Sequence, residues 1–118
     1  MYELKVKGSF SAAHALKGYE GPCENLHGHT FKVEIVVQGK KLDKLGLLSD
    51  FKTLKKILSD ALQIFDHQDL CQLKYFKIEN PSAENLARII YVILKPQAKG
   101  LSKVAVWESD SACASYFE

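Results

Sequence analysis

Cys23-Glu24-Asn25-Leu26-His27-Gly28-His29 runs straight into Thr30-Phe31-Lys32-Val33-Glu34-Ile35-Val36-Val37-Gln38, and this stretch decides both the fold and the chemistry. From His29 to Gln38, Phe31, Val33, Ile35 and Val37 share one parity, while Thr30, Lys32, Glu34 and Val36 take the other. That is the period of a strand with one buried face. His27 and His29 are two apart, so on an extended backbone their side chains point the same way. Gly28 between them leaves the opposite face open to close backbone approach. Upstream, Phe10, Ala12 and His14 also share a parity, which places His14 at the end of an otherwise apolar face. A return strand starting near His27 brings the three imidazoles together. Three neutral imidazoles on one point suit zinc with a vacant fourth position. The competing reading is three unrelated histidines on a loop and two strands. The spacing is not that of a zinc finger, because there is no Cys-x-x-Cys pair and no second histidine pair.

With 118 residues the chain is expected to form one domain, 1–118, large enough for a real core. Apolar residues at 47% and charged residues at 25% fit an ordinary globular protein. A net charge of +2 does not argue for nucleic acid, and Arg88 is the only arginine, so bidentate reading of guanine edges or phosphates is not a theme. The scattered lysines read as a solvated surface from which a few can neutralise a polyphosphate. Cys23, Cys71 and Cys113 are odd in number and widely spaced, the start Met1-Tyr2-Glu3-Leu4-Lys5 is charged, and the apolar run Ile89 to Leu94 is too short to span a bilayer. Free thiols in a reducing cytoplasm, with no membrane and no nucleic-acid partner, are therefore expected.

The rest of the chain reads outward from that hairpin. Tyr2, Leu4 and Val6 alternate with Glu3, Lys5 and Lys7 as a first strand, and Gly8 is read as a bulge or bend before Phe10. Lys17 to Pro22 is a loop, with Cys23 at its end. Ser49 or Asp50 caps a helix of about four turns whose apolar stripe is Phe51, Leu54, Leu58, Ala61, Leu62 and Phe65. Asn80-Pro81-Ser82-Ala83-Glu84 starts a second helix with Ser82 as its cap, and Leu86, Ala87, Ile90, Ile93 and Leu94 form its stripe before Pro96. Gly100 turns the chain into a strand over Val104 to Glu108. Ser109-Asp110-Ser111 is a turn, and Ala112 to Phe117 is a last strand. The order ββααββ predicts an α+β fold: a four-stranded antiparallel sheet with two helices packed on one face. Such a sheet has two edges to manage, so self-association is expected.

Three further residues carry candidate chemistry. His67 directly follows Asp66; neighbours on a helix do not face each other, yet at a helix end a carboxylate can orient an imidazole for proton transfer. The plainer reading is a capping histidine beside a solvated aspartate. Cys23 admits three roles: a fourth zinc ligand, a thiolate base or nucleophile beside an open metal, or an inert small residue. Glu108 shares the parity of Val104 and Val106 on an apolar face, where an unpaired charge is costly. It either pairs with a lysine or accepts two N–H bonds from a guanidine-like edge, such as that of a pterin or guanine. Cys71 and Cys113 sit in apolar contexts and are read as packing residues.

Taken together, these residues resemble the 6-pyruvoyl-tetrahydropterin synthase family, and more narrowly its bacterial 6-carboxy-tetrahydropterin synthase branch of queuosine biosynthesis. Phe10-Ser11-Ala12-Ala13-His14 resembles the first zinc motif of the family, and Cys23-x-x-x-His27-Gly28-His29 the motif with its catalytic cysteine and two more ligands. Leu48-Ser49-Asp50-Phe51 resembles the entry to the first helix, Asp66-His67-x-x-Leu70 the acid–base pair, and Asn80-Pro81-Ser82-Ala83-Glu84-Asn85 the second helix start. Glu108 stands where the family places its pterin-anchoring glutamate. Three residues between Cys23 and His27 is the spacing of the queuosine branch; the animal biopterin enzymes place more there. Two departures stand out: Cys71 where the family usually has asparagine, and Ser82 for the commoner threonine.

The resemblance implies a tunnelling fold in which trimers close their sheets into a barrel and two trimers stack as a homohexamer, with the active site between subunits. It implies zinc on His14, His27 and His29, proton movement by Cys23 and His67, orientation of His67 by Asp66, and pterin binding by Glu108, with Ser82 also against the substrate. The implied reaction takes 7,8-dihydroneopterin triphosphate to 6-carboxy-5,6,7,8-tetrahydropterin, acetaldehyde and triphosphate. The alternatives are the pyruvoyl-forming elimination of triphosphate without side-chain cleavage and, in a different class, a non-catalytic zinc-stabilised oligomer with Cys23 as fourth ligand.

Overall fold

The computed structural model describes residues 1–19, 21 and 24–118; Cys23, with its expected catalytic role, lies outside the described residues. Strands β1 (Tyr2–His14) and β2 (His27–Gly39) form a long antiparallel pair in unbroken register, from Tyr2 opposite Gly39 to His14 opposite His27. Helices α1 (Phe51–Leu62) and α2 (Ala83–Leu94) follow, then strands β3 (Leu101–Ser109) and β4 (Ala112–Phe117). The sheet order is β1-β2-β3-β4, antiparallel throughout, and both helices pack on one face, α1 over β1 and α2 over β3 and β4. The expected α+β architecture is therefore the observed one. Two short 3₁₀ turns, Leu70–Gln72 and Lys74–Phe76, join the helices and were not read from the sequence.

The buried face is the one the alternation predicts. Val6 and Phe10 from β1, Phe31, Val33, Ile35 and Val37 from β2, and Val104 and Val106 from β3 meet Leu54, Leu58 and Leu62 of α1 and Leu86, Ile90 and Leu94 of α2. Each such leucine contributes roughly 2–3 kcal/mol by leaving water. Asp50 is the cap of α1, accepting the Lys52 N–H at 2.9 Å. Ser82 caps α2 by accepting the Asn85 N–H at 3.1 Å.

Several local expectations need correction. Gly8 is no bulge: β1 passes through it in register with Val33, and a Cβ there would lie 3.0 Å from a Leu62 methyl, so the glycine lets α1 sit close on the sheet. Helix α1 stops at Leu62, short of four full turns; Phe65 reaches the core from the turn beyond it, and Phe51 is exposed. Cys113 is exposed on β4, on the face away from the helices, rather than packed. Cys71 is half-buried, its thiol 3.5 Å from the Ala15 carbonyl.

The register shifts occur where parity arguments fail. Val36 pairs with Lys103 but Val37 with Leu101, so β3 carries an extra residue there and Leu101 joins the core. A second shift falls between Trp107, opposite Cys113, and Ser109, opposite Ala112, leaving Glu108 as the extra residue. Bulges of this kind re-aim side chains beside functional sites.

Gly100 makes the turn into β3. It has φ +83°, and a Cβ on it would sit 2.5 Å from the Gln38 carbonyl oxygen. Left-handed backbone already costs a non-glycine residue about 1–2 kcal/mol, and the clash is with main chain that cannot swing away. Gly100→Ala is therefore expected to lower unfolding free energy by about 2 kcal/mol or more, read from the midpoint shift in urea.

Candidate active site

At one end of the helix-facing side of the sheet, β1 and β2 deliver three imidazoles to one point. His14 faces His27 directly across the pair, and His29 faces Ala12, one step along the same face. The period of two and the unbroken register produce this convergence. One ring nitrogen from each of His14, His27 and His29 lies within 4.8 Å of the others. His14 Nδ1 is 2.6 Å from the Pro81 carbonyl oxygen, and His27 Nδ1 is 2.6 Å from the Asn25 carbonyl oxygen. A carbonyl accepts only, so both Nδ1 atoms carry the proton and both Nε2 atoms keep a lone pair for a cation. The donor set fits zinc: three neutral imidazoles, two with their tautomer set by carbonyls.

Electrostatics favour the neutral form of His14. Its side chain is 1% exposed, and burial pushes its pKa below the ordinary 6.5; the bond to Pro81 and the Glu108 carboxylate oppose that shift, and the neighbouring His27 and His29 add to it. In the metal-free protein the unfolded chain therefore binds the His14 proton more readily than the folded chain does. Stability rises with pH wherever the unfolded state holds more protons, so this contribution is complete above about 6.5 and drains away as pH falls towards the folded value. Urea unfolding of metal-free protein is expected to show a lower midpoint at pH 5.5 than at pH 7.5.

Glu108 completes this face. Its half-buried carboxylate places Oε1 3.6 Å from His14 Nε2, at the bulge on β3. Among the described residues no lysine lies against it, and His14, neutral with its proton on Nδ1, is a near neighbour of the carboxylate rather than an ion-pair partner. The structure thus gathers His14, His27, His29 and Glu108 into one cluster.

Asp66 and His67 lie elsewhere, along the free edge of β1. The Ser11 N–H donates to Asp66 Oδ1 at 2.9 Å, the His67 N–H donates to the Ser11 carbonyl at 2.6 Å, and the Ala13 N–H donates to the Gln68 carbonyl at 2.9 Å. The histidines span β1 and β2, so the acid–base pair is on the other side of β1 from β2. His67 has φ +58°, the one positive value at a non-glycine position among the described residues. This turn removes the objection raised by sequence adjacency: the two side chains are not on a helix, and His67 Nδ1 meets Asp66 Oδ2 at 3.0 Å. The Ser11 N–H, followed by His67, holds the Asp66 carboxyl below the usual carboxylate range. His67 is 83% exposed and lines, with Ser11, Ala13, Gly28 and His29, a groove of about 590 Å³. Gly28 faces that groove with no close main-chain approach among the described residues, its nearest neighbour being the Ala12 oxygen at 3.9 Å from a built Cβ.

Sequence reasoning missed the main-chain partners: Pro81 and Asn25 on the histidines, and Ser11 on the acid–base pair. Backbone groups leave no signal in residue type. The Ser82 hydroxyl sits at the start of α2, engaged with Asn85.

The family model described as 6-pyruvoyl tetrahydropterin synthase matches residues 3–118. The chain is similar to a putative 6-carboxy-5,6,7,8-tetrahydropterin synthase of Archaeoglobus fulgidus, 35% identical over 94% of this chain and 91% of the relative. It is also similar to a dihydroneopterin monophosphate aldolase of Pyrococcus furiosus, 36% identical over 88% of this chain and 87% of the relative. Among solved structures, the 6-pyruvoyl tetrahydropterin synthase of Caenorhabditis elegans superposes with a TM-score of 0.89 at 28% identity, covering 99% of this chain and 95% of that one. For the single chain, the tunnelling-fold expectation of a four-stranded antiparallel sheet with two helices is borne out by that superposition, and the resemblance read from the motifs extends over nearly the whole chain.

Proposed function

Because the chain belongs to the 6-pyruvoyl tetrahydropterin synthase family, we propose that it is a zinc-dependent lyase of queuosine biosynthesis. It takes 7,8-dihydroneopterin triphosphate and water to 6-carboxy-5,6,7,8-tetrahydropterin, acetaldehyde and triphosphate. The observation that carries this reading is the convergence of three imidazoles beside the Glu108 carboxylate, on a chain whose relatives include a 6-carboxy-tetrahydropterin synthase.

His14, His27 and His29 would hold a zinc ion, which would supply Lewis-acid polarisation of a substrate oxygen and so make a neighbouring C–H more acidic. Glu108 accepts the ring N–H and exocyclic amine of the pterin, a two-bond contact that fixes which side-chain carbon lies over the histidines. Cys23, four positions before His27, removes a proton as thiolate. His67, oriented by Asp66, moves a proton on the opposite face of the same carbon chain. The Asp66–His67 pair is held on the far side of β1 from β2, and this reading puts the complete site at a junction between copies in a homohexamer. The Ser82 hydroxyl, which accepts from Asn85, still has its own proton to offer the substrate. The reading places the work in the cytoplasm; no helix among the described residues is long and apolar enough to cross a membrane.

A second reading is favoured by the Pyrococcus furiosus relative: aldol cleavage of a dihydroneopterin monophosphate, with the same residues acting on a shorter phosphate tail. Zinc-loaded protein assayed on 7,8-dihydroneopterin triphosphate and monophosphate separates the possibilities. Acetaldehyde with a carboxylated pterin from the triphosphate supports the proposal. Triphosphate release without acetaldehyde moves the chain to the pyruvoyl-forming reaction, and turnover of the monophosphate alone makes it an aldolase. Cys23→Ala tests the non-catalytic reading. A catalytic thiol is expected to leave zinc content and melting temperature unchanged while turnover falls by ~10²-fold or more; loss of zinc and stability together would make Cys23 a structural ligand.

A further inference from the structure

The histidine cluster is held from behind by Asn80 and Pro81, two residues that the reaction as proposed does not use. Asn80 Oδ1 accepts the Lys17 N–H and Asn80 Nδ2 donates to the Lys17 carbonyl, each at 2.9 Å. One side-chain amide thus engages both main-chain groups of a residue 63 positions away. The Asn80 carbonyl accepts from Asn85 Nδ2 at 2.8 Å, and the Asn85 N–H is the one capped by Ser82, so Asn80 is fixed to the first turn of α2. Pro81 comes next; it is buried, and its carbonyl is the one on His14 Nδ1 at 2.6 Å. Proline restricts the residue before it to extended backbone and fixes its own φ, so docking the Asn80 side chain leaves the Pro81 carbonyl only rotation about ψ. Lys17 lies three residues beyond His14. The amide therefore ties the chain leaving β1 to the chain entering α2, with the His14–Pro81 bond enclosed between them.

We propose that Asn80 is a positioning residue for His14: its amide clamp on Lys17 keeps the Pro81 carbonyl on His14 Nδ1 and so fixes the tautomer whose Nε2 is free to bind a metal. Asn80 acts through Pro81 and touches neither metal nor substrate. The inference rests on the reading of the three histidines as a zinc site and adds a residue that their spacing does not reveal. A ring nitrogen donating to a carbonyl must carry the proton, which leaves the lone pair on the other nitrogen. Without the clamp both tautomers become available and the ring is free to turn. Aspartate at this position keeps an acceptor for the Lys17 N–H but sets a carboxylate oxygen against the Lys17 carbonyl; alanine keeps neither contact.

The test compares Asn80→Ala and Asn80→Asp with the wild-type chain in three measurements: Zn²⁺ titration against a chromogenic chelator, long-range ¹H–¹⁵N spectra of the histidines in metal-free protein, and thermal unfolding. Loss of an outer partner of a metal-bound histidine weakens binding by about 10–100-fold, so Asn80→Ala is expected to raise the Zn²⁺ dissociation constant at least tenfold. Asn80→Asp should be no better. In both, His14 should pass from a single Nδ1–H tautomer to a mixture. A melting temperature that falls while zinc affinity and tautomer stay as in wild type would overturn the proposal and leave Asn80 a structural clamp. Should Asn80→Ala not fold, the near-isosteric Asn80→Asp carries the test by itself, and both readouts must move in the stated direction or the proposal fails. If the wild-type chain takes no zinc, the metal reading fails, while the tautomer spectra still decide the clamp.

Discussion

His29→Ala is expected to abolish tight zinc binding while leaving the chain folded. The ring of His29 is half-buried at the end of the sheet and packs edge-on against His14 and Phe31, with centroids 5.0 and 5.4 Å apart. Losing such contacts costs about 1 kcal/mol, which a domain of this size tolerates. Losing the ligand is a different matter. Closed four-ligand zinc sites hold the ion by about 10–16 kcal/mol, so one ligand is worth roughly 3 kcal/mol, or ~10²-fold in affinity at least. Calorimetric titration of the variant with Zn²⁺, set beside its urea midpoint, separates the two effects. Unchanged zinc affinity would remove His29 from the site. His14 makes a poorer test, because its ring is 1% exposed and bonded to Pro81, so truncating it empties part of the core as well as the site.

His67→Gly is expected to remove activity without removing stability. The backbone at His67 has φ +58°, a region glycine enters freely and other residues enter at a cost of about 1–2 kcal/mol. Glycine relieves that strain but widens the unfolded ensemble by up to about 1 kcal/mol, and the solvent-exposed pair with Asp66 adds little. The balance is neutral to mildly stabilising, by at most about 2 kcal/mol. A strained residue maintained at no stability advantage is what a working imidazole looks like. Its removal as acid or base should lower kcat by ~10²–10⁴-fold with much less change in KM. A variant that turns over normally would withdraw His67 from proton transfer, and a large loss of stability would make the left-handed turn a structural necessity instead.

Much of the architecture was legible along the chain. Alternation assigned the buried faces of β1 and β2, and the three- and four-residue spacings of Leu54, Leu58 and Leu62, and of Leu86, Ile90 and Leu94, assigned the helix stripes. The caps Asp50 and Ser82 fell where their side chains predicted. The misreadings share a cause. Along the chain Gly8 reads as a bulge or bend, whereas in the fold its missing side chain makes room for Leu58 and Leu62 from a helix fifty residues on. Cys113 reads as a packing residue from its apolar neighbours, but the face it occupies depends on the register of β4 against β3.

By itself the sequence determined the order of elements, the buried face of each, and the presence of three histidines at spacings that permit a common metal. Those are local properties, set by the period of two in a strand, the period of 3.6 in a helix and the chemistry of each side chain. Tertiary structure alone decided the rest. It set the register that puts His14 opposite His27, and it placed the β3 bulge whose extra residue, Glu108, lies at His14. It turned the backbone at His67 so that the ring meets Asp66, and it brought the carbonyls of Pro81 and Asn25 onto the two Nδ1 atoms. All of these depend on main-chain groups far apart in sequence, or on an offset of a single residue between strands. Main-chain N–H and C=O groups are the same at nearly every position, so only the folded arrangement can say which of them meet.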